Sequence, residues 1–264
     1  MSAPLAPLRI GGVPYGLGAP LLADFDGDPD VALVRTTPSE LVTRLRNGEL
    51  DAALVSSIEG ARRGGYAALL DVGIACVGPV RSVRAFRRRA VARVRSVGLT
   101  NESESSAALL RILLARSGDA SPDCRFERVP STRAPDELPH DMVLLIGDDG
   151  LRADAGAREA IDLGDRWLLA TGLPFVFALW LIAPGAALER VARRLARAAA
   201  HARAIPRRAD EARVHYELGD AERHGLEFFW SEAGALGLCE GDIRPRFVAA
   251  TACDDDVARA RPAR

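Results

Sequence analysis

The hydrophobic and polar positions of this chain follow two periods, one typical of strands and one typical of helices. Short apolar runs at Leu8–Tyr15, Val31–Thr36 and Asp51–Ser57 predict strands, and from Pro38 to Gly48 apolar residues recur at helical spacing. The densest run, Thr171–Trp180, is apolar, β-branched and aromatic, and it predicts a strand buried on both faces. Such alternation predicts an α/β fold with mostly parallel sheets.

The same alternation continues through the rest of the chain. Two strands joined through Pro79 are predicted at Val72–Gly78 and Val80–Phe86, and a further strand at Asp141–Leu151. A helix with a hydroxyl-rich start is predicted at Glu102–Gly118, and two long helices at Ala186–Arg203 and Asp220–Leu238.

A two-lobed organisation follows from where the pattern changes. The chain divides near Phe86–Val94 and returns near Thr171, which predicts one lobe from residues 1–88 and 171–250 and a second from 89–170. The polar segment 251–264 is expected to be a disordered tail. A ligand site is expected in the cleft between the lobes, where strand-end turns of both meet.

Composition narrows the function classes. The formal net charge of −1 over 264 residues argues against binding driven by bulk charge to nucleic acid or membrane surfaces. No window has the roughly 18–20 apolar residues of a membrane span, and the N-terminus lacks a signal-peptide pattern. Four cysteines without a CxxC pair and four histidines without HxxxH spacing predict reduced thiols, no metal site and a cytoplasmic protein.

Four turns carry the candidate chemistry, because each places hydroxyl or glycine residues after a hydrophobic strand. They are Ser56–Ser57, Val80–Ser82, Glu102–Ser106 and Gly147–Asp148. Ser105 and Ser106 fit an anion site best, since serine hydroxyls and free N–H groups meet at a helix start. The alternative for each serine there is an ordinary helix cap.

Six segments together resemble the chorismate dehydratases of the futalosine route to menaquinone. They are Val13–Leu22, Pro38–Glu59, Val72–Val83, Leu144–Arg152, Asp162–Trp180 and His215–Phe229. The resemblance implies a two-lobed fold like the type 2 periplasmic binding proteins and a cytosolic enzyme without a metal or organic cofactor. A related naphthoate synthase is disfavoured, because Gly147 stands where its histidine base is expected.

The resemblance also implies a reaction and a set of small-molecule contacts. Chorismate loses water to give 3-[(1-carboxyvinyl)oxy]benzoate, and a carboxylate of the substrate itself takes the ring proton. The substrate-binding residues implied are Ser56, Ser57, Ser82, Ser105 and Ser106, the turn of Gly147 and Asp148, and Thr171 with Gly172 closing the cleft. Arg81 is either a bidentate carboxylate ligand or a surface arginine.

Two positions depart from the pattern of that family. Leu17 stands in place of a site asparagine, and Glu104 places an anion where the family has a cation. A substrate other than chorismate, or a cytosolic protein that binds small carboxylates without reaction, therefore remains an alternative.

Overall fold

The computed structural model describes residues 5–13, 16–101, 103–205 and 213–249. Within those ranges the strands are β1 (Leu8–Gly12), β2 (Val31–Arg35), β3 (Ala52–Ser56), β4 (Ala67–Cys76), β5 (Val83–Arg88), β6 (Val94–Leu99), β7 (Ala120–Arg128), β8 (Met142–Ile146), β9 (Arg158–Asp162), β10 (Phe175–Ile182), β11 (Val214–Glu217) and β12 (Arg246–Val248). The helices are α1 (Pro38–Arg46), α2 (Glu59–Arg62), α3 (Glu104–Ser117), α4 (Gly147–Arg152), α5 (Leu163–Thr171), α6 (Leu188–Ala204) and α7 (Asp220–Ala235). The predicted tail, 251–264, lies outside the described residues.

The first sheet is built around β10. Its strand order is β11-β4-β10-β3-β1-β2. β12 also pairs with β4, along Ala67–Leu69, whereas β11 pairs with the later residues of β4. All of β10 except Ala178 is buried, since sheet neighbours flank both edges and side chains pack on both faces. The prediction of a doubly buried strand is therefore confirmed for Phe175–Ile182.

The second sheet holds the middle of the chain in the order β7-β6-β8-β5-β9. The chain passes from the first sheet to the second between Cys76 and Val83, and it returns between Asp162 and Phe175. The predicted boundary at residue 88 is therefore too late for β5, which pairs with β8 and β9. The two strands predicted around Pro79 lie in different sheets.

The prediction of mostly parallel sheets is wrong. Among the described strands, five pairings are parallel and five are antiparallel. The reason lies at the two crossings. β5 and β10 each begin at the edge where a neighbouring strand ends, as the pairing of Val83 with Ile146 shows, so each must run in the opposite direction.

Three helices, α2, α4 and α5, were missed in the sequence: α2 has only four residues, and polar residues open α4 and α5. Asp162 caps α5 by accepting the N–H groups of Gly164 and Asp165, and Gly172 ends that helix in the left-handed conformation. The predicted strand Asp141–Leu151 ends at Ile146, and α4 occupies its second half. The helices predicted from Glu102, Ala186 and Asp220 are confirmed as α3, α6 and α7.

The core runs through both sheets and is anchored by aromatic rings. Trp167 of α5 packs edge-on against Phe175 and Phe229, and its indole N–H donates to the Pro174 carbonyl at 3.0 Å. Trp230 of α7 donates to the Ser57 carbonyl at 3.0 Å, directly behind the end of β3. Over the described part of the chain, no helix has the length and apolar character needed to cross a bilayer.

Candidate active site

A cavity of about 160 Å³ lies where strand ends of the two sheets face each other. The first sheet and its connections supply one wall: Val13, Gly16, Leu17, Gly18, Pro38, Leu54, Val55, Ser56, Ile74, Phe177 and Ala178. The chain between the two crossings supplies the other: Val80, Ser82, Val83, Ser103, Ser106, Ile146, Gly147, Asp148 and Leu151. Strand ends and helix starts meet here because crossover connections bring them to one edge of each sheet.

The N-terminus of α3 supplies most of the polar lining. Ser103 caps the helix, and its hydroxyl accepts the Ser106 N–H at 3.2 Å and the Ser106 hydroxyl at 3.0 Å. Ser56, at the end of β3, accepts the Glu104 N–H at 3.2 Å. Three hydroxyls therefore surround the positive end of a 14-residue helix, an arrangement suited to an anion. Ser103 was absent from the predicted site residues, although its capping position was readable in the sequence.

Ser57 and Ser105 lie next to this lining but do not face the cavity. Both are fully buried. The Ile58 N–H donates to Ser105, the two hydroxyls are 3.0 Å apart, and Ser57 donates to the Val176 carbonyl at 2.6 Å. The Ser57 hydroxyl hydrogen is used in the bond to the Val176 carbonyl, which can only accept. The Ser105 hydroxyl is therefore the donor in the bond between the two serines. These serines join α3 to the first sheet.

On the opposite wall, Ser82, Gly147 and Asp148, all predicted site residues, line the cavity. Gly147 begins α4 at a φ of 64°, and Asp148 lies 3.7 Å from Arg152 on the next turn. The neighbouring Asp149 points elsewhere: hydrogen bonds from Ser131 and Arg133 lower the pKa of its carboxyl. The two adjacent carboxylates therefore do not form a pair.

Arg81 and the pair Thr171–Gly172 are not among the cavity-lining residues. The Thr171 hydroxyl donates to the Trp167 carbonyl at 2.8 Å and accepts the Leu173 N–H at 3.1 Å, so it closes the last turn of α5. Arg81 is exposed, with a left-handed φ of 64°. Its backbone is held there by the Asp162 carboxylate, which accepts the N–H groups of Val80 and Arg81.

Arg81→Gly distinguishes the two readings of this arginine. An L-residue in the left-handed region costs roughly 1–2 kcal/mol, and the greater freedom of glycine in the unfolded chain offsets about 0.5–1 kcal/mol of that. We expect the free energy of unfolding to rise by about 0.5 kcal/mol in denaturant titration. Catalytic efficiency should stay within about threefold of wild type; a loss of tenfold or more would identify Arg81 as a substrate ligand.

Leu17 lies on the first wall, in a 3₁₀ turn that spans Gly16–Leu21. Gly16 begins that turn at a φ of 61°, and the Tyr216 hydroxyl donates to the Leu17 carbonyl at 3.0 Å. The backbone of this turn is therefore fixed, and the Leu17 side chain adds apolar surface where an amide is expected from the resemblance.

Glu104 does not line the cavity. Its carboxylate pairs with Arg62 at 3.1 Å and with Arg128. Burial acts to raise the pKa of the Glu104 carboxyl. The charges and hydrogen bonds of the two arginines outweigh this effect and hold the pKa below its usual value. The anion expected near the substrate is thus compensated by two cations and turned away from the cavity.

The lining as a whole is apolar apart from serines and one carboxylate. Among the described residues that line it, Asp148 is the charged one. Binding of an anionic ligand therefore has to rely on hydroxyls and on the N-terminus of α3. Within the described residues no three His, Cys, Asp or Glu side chains lie close enough together to hold a metal ion.

Comparison with known proteins gives the family. A sequence model described as menaquinone biosynthesis matches residues 8–233 of this chain. The chain belongs to that family. Among its relatives, the chorismate dehydratase of Thermus thermophilus is 35% identical over 193 residues, which cover 63% of this chain and 69% of the relative.

Solved structures of more distant proteins share the fold of this family member. A protein from Archaeoglobus fulgidus superposes with a TM-score of 0.67 at 17% identity, covering 88% of this chain and 98% of that one. The periplasmic aliphatic sulphonate binding protein of Escherichia coli gives a TM-score of 0.54 at 16% identity, covering 89% and 80%. The predicted two-lobed fold like that of the type 2 periplasmic binding proteins is confirmed.

Proposed function

We propose that this protein is a cytoplasmic chorismate dehydratase that forms 3-[(1-carboxyvinyl)oxy]benzoate without a metal or organic cofactor. The observation that carries the proposal is the cavity between the sheets, whose apolar walls end in three serine hydroxyls at the start of α3. The relationship to a chorismate dehydratase supports it. Cys76, Cys124 and Cys239 are free thiols, which suits a reducing compartment.

Binding follows from the two walls. One substrate carboxylate lies at the N-terminus of α3, where Ser56 and Ser103 donate hydrogen bonds to it and Ser106 turns its hydroxyl from Ser103 to the carboxylate. The second carboxylate lies toward Ser82 and Gly147, where the ion pair with Arg152 offsets the like charge of Asp148. The proposed substrate-binding residues thus retain Ser56, Ser82, Ser106, Gly147 and Asp148 from the prediction and add Ser103.

The reaction needs little from the protein beyond positioning. A carboxylate of the substrate accepts the ring proton and passes it to the ring hydroxyl, which leaves as water, and the ring becomes aromatic. Among the described residues the lining has no lysine or histidine, which suits a reaction in which the substrate supplies the base. Apolar residues such as Leu54, Ile74 and Phe177 pack against the ring and exclude solvent water, and the serines hold the reactive conformer.

The test is incubation of the purified protein with chorismate, followed by liquid chromatography and mass spectrometry of a product one water lighter. We expect turnover with a catalytic efficiency that Ser106→Ala reduces roughly 10–100-fold, the range for loss of a hydrogen bond to a charged group. Ser117→Ala, at the far end of the same helix, is the matched control and should retain activity. Absence of turnover above the uncatalysed rate would refute the proposal.

The second candidate is a protein that binds a small carboxylate without converting it, and the apolar side chain of Leu17 in the cavity favours it. A carboxylate that raises the melting temperature and is recovered unchanged, with no turnover of chorismate, would support this candidate.

Leu17→Asn separates the two candidates. If chorismate is the substrate, the new amide adds a hydrogen bond to a charged group, which contributes about 1.5–3 kcal/mol. We expect the catalytic efficiency to rise roughly tenfold or more. Leu17→Ala is the control, since it removes the leucine without adding an amide. Equal efficiencies of the two variants would exclude a role for an amide at this position.

A further inference from the structure

The carboxylate of Glu104 occupies a junction between the two lobes. Arg62, from α2 beside the first sheet, donates two hydrogen bonds of 3.1 Å to one of its oxygens. Arg128, at the end of β7 in the second sheet, donates to the other oxygen. A single side chain thus connects cations that belong to different sheets.

Each arginine is itself fixed by a main-chain contact. Arg62 donates to the Leu238 carbonyl at 3.2 Å, and Arg128 donates to the Thr100 carbonyl at 3.0 Å, just after β6. Arg62 and Glu104 are partly buried, at 28% and 35% exposed, whereas Arg128 is exposed at 44%. A network in which one carboxylate binds two arginines loses less side-chain entropy per contact than two separate surface pairs.

Glu104 is also the first residue of α3, between the cavity-lining Ser103 and Ser106. Its N–H donates to Ser56 of the first sheet at 3.2 Å. The side chain and the backbone of one residue therefore fix the first turn of α3 relative to both walls.

We propose that Glu104 is a positioning residue: clamped by Arg62 and Arg128, it holds the serine hydroxyls at the start of α3 in place for a substrate carboxylate. The role in catalysis rests on the proposed function, whereas the clamp itself does not. Glu104 has no contact with the substrate in this scheme. It acts through Ser56, Ser103 and Ser106.

The first measurement is hydrogen exchange of the free protein, which requires no ligand. In Glu104→Gln we expect the Ser106 and Ala107 amides, which donate to the Ser103 hydroxyl and carbonyl, to exchange at least tenfold faster than in wild type. Glu232→Gln is the matched control, because it removes a 2.7 Å ion pair with Arg116 at the other end of α3. Unchanged exchange in Glu104→Gln would overturn the clamp.

The second measurement is steady-state kinetics with chorismate. Loss of a well-placed binding group raises KM more than it lowers kcat, so we expect a KM increase of about tenfold with kcat within threefold. Glu104→Asp, which keeps the charge, should recover part of the loss, and Glu232→Gln should match wild type. Equal KM values for wild type and Glu104→Gln would overturn the positioning role.

The two proposals fail in different ways. If wild type does not convert chorismate, the proposed function fails, and the exchange of the α3 amides still decides the clamp. If wild type is active and Glu104→Gln is indistinguishable from it in both measurements, the clamp fails and the proposed function stands.

Discussion

Gly150→Ala is expected to lower catalytic efficiency at least a hundredfold and the free energy of unfolding by about 3 kcal/mol. A Cβ at this position would lie 2.4 Å from the Ser82 carbonyl oxygen and 2.7 Å from the Leu145 carbonyl oxygen. Both are backbone atoms of the second wall, so neither can rotate away. The strain has to be relieved by moving α4 from the end of β8, which displaces Ser82, Gly147 and Asp148 together.

The measurements are steady-state kinetics with chorismate and denaturant titration. Gly64→Ala is the matched control, because a Cβ there meets no atom within 4 Å. A Gly150→Ala protein of wild-type stability and activity would show that α4 does not need this close approach.

Trp167→Ala is expected to lower the free energy of unfolding by about 4 kcal/mol, within the range for truncation of a buried tryptophan. Its side chain is fully buried against Phe175, Phe228 and Phe229, and its indole N–H is bonded to the Pro174 carbonyl. Truncation removes the largest side chain that joins α5 to the returning strand β10. It also leaves a buried carbonyl without its donor, which adds a desolvation cost.

Thermal and denaturant unfolding check this expectation. Leu169→Ala on the same helix is the matched control, since Leu169 is 72% exposed and its truncation should change stability by less than about 0.5 kcal/mol. Trp167→Phe keeps the ring contacts and should lie between the two. Equal destabilisation by Trp167→Ala and Leu169→Ala would refute the account of this core.

Strand positions could be predicted from the sequence because buried strands require apolar residues. The β10 run is apolar because both faces of that strand are covered, and β1, β2 and β3 are found within two or three residues of their predicted bounds. Strand direction has no such requirement. It is set by where the chain crosses between sheets, which no local pattern around β5 or β10 records.

The structure brings some of the predicted site residues to the cavity and not others, for a related reason. A serine run at a helix start predicts hydroxyls near a positive end, yet helical rotation decides which of them face a cavity. Ser103 and Ser106, three residues apart, lie on one side, whereas Ser105 turns toward Ser57. Thr171 was misplaced because it was assigned to the start of the strand run Thr171–Trp180, whereas it is the last residue of α5.

The pairing of Cys76 with Phe175 has a topological consequence. These residues end one strand and begin its antiparallel neighbour, as the two arms of a β-hairpin do, and the second lobe is the loop of that hairpin. Its two connections to the first sheet therefore leave and return one strand spacing apart, about 5 Å. The orientation of the second lobe is therefore fixed less by these two connections than by contacts away from them, among them the Ser57–Ser105 hydrogen bond and the Arg62–Glu104 ion pair.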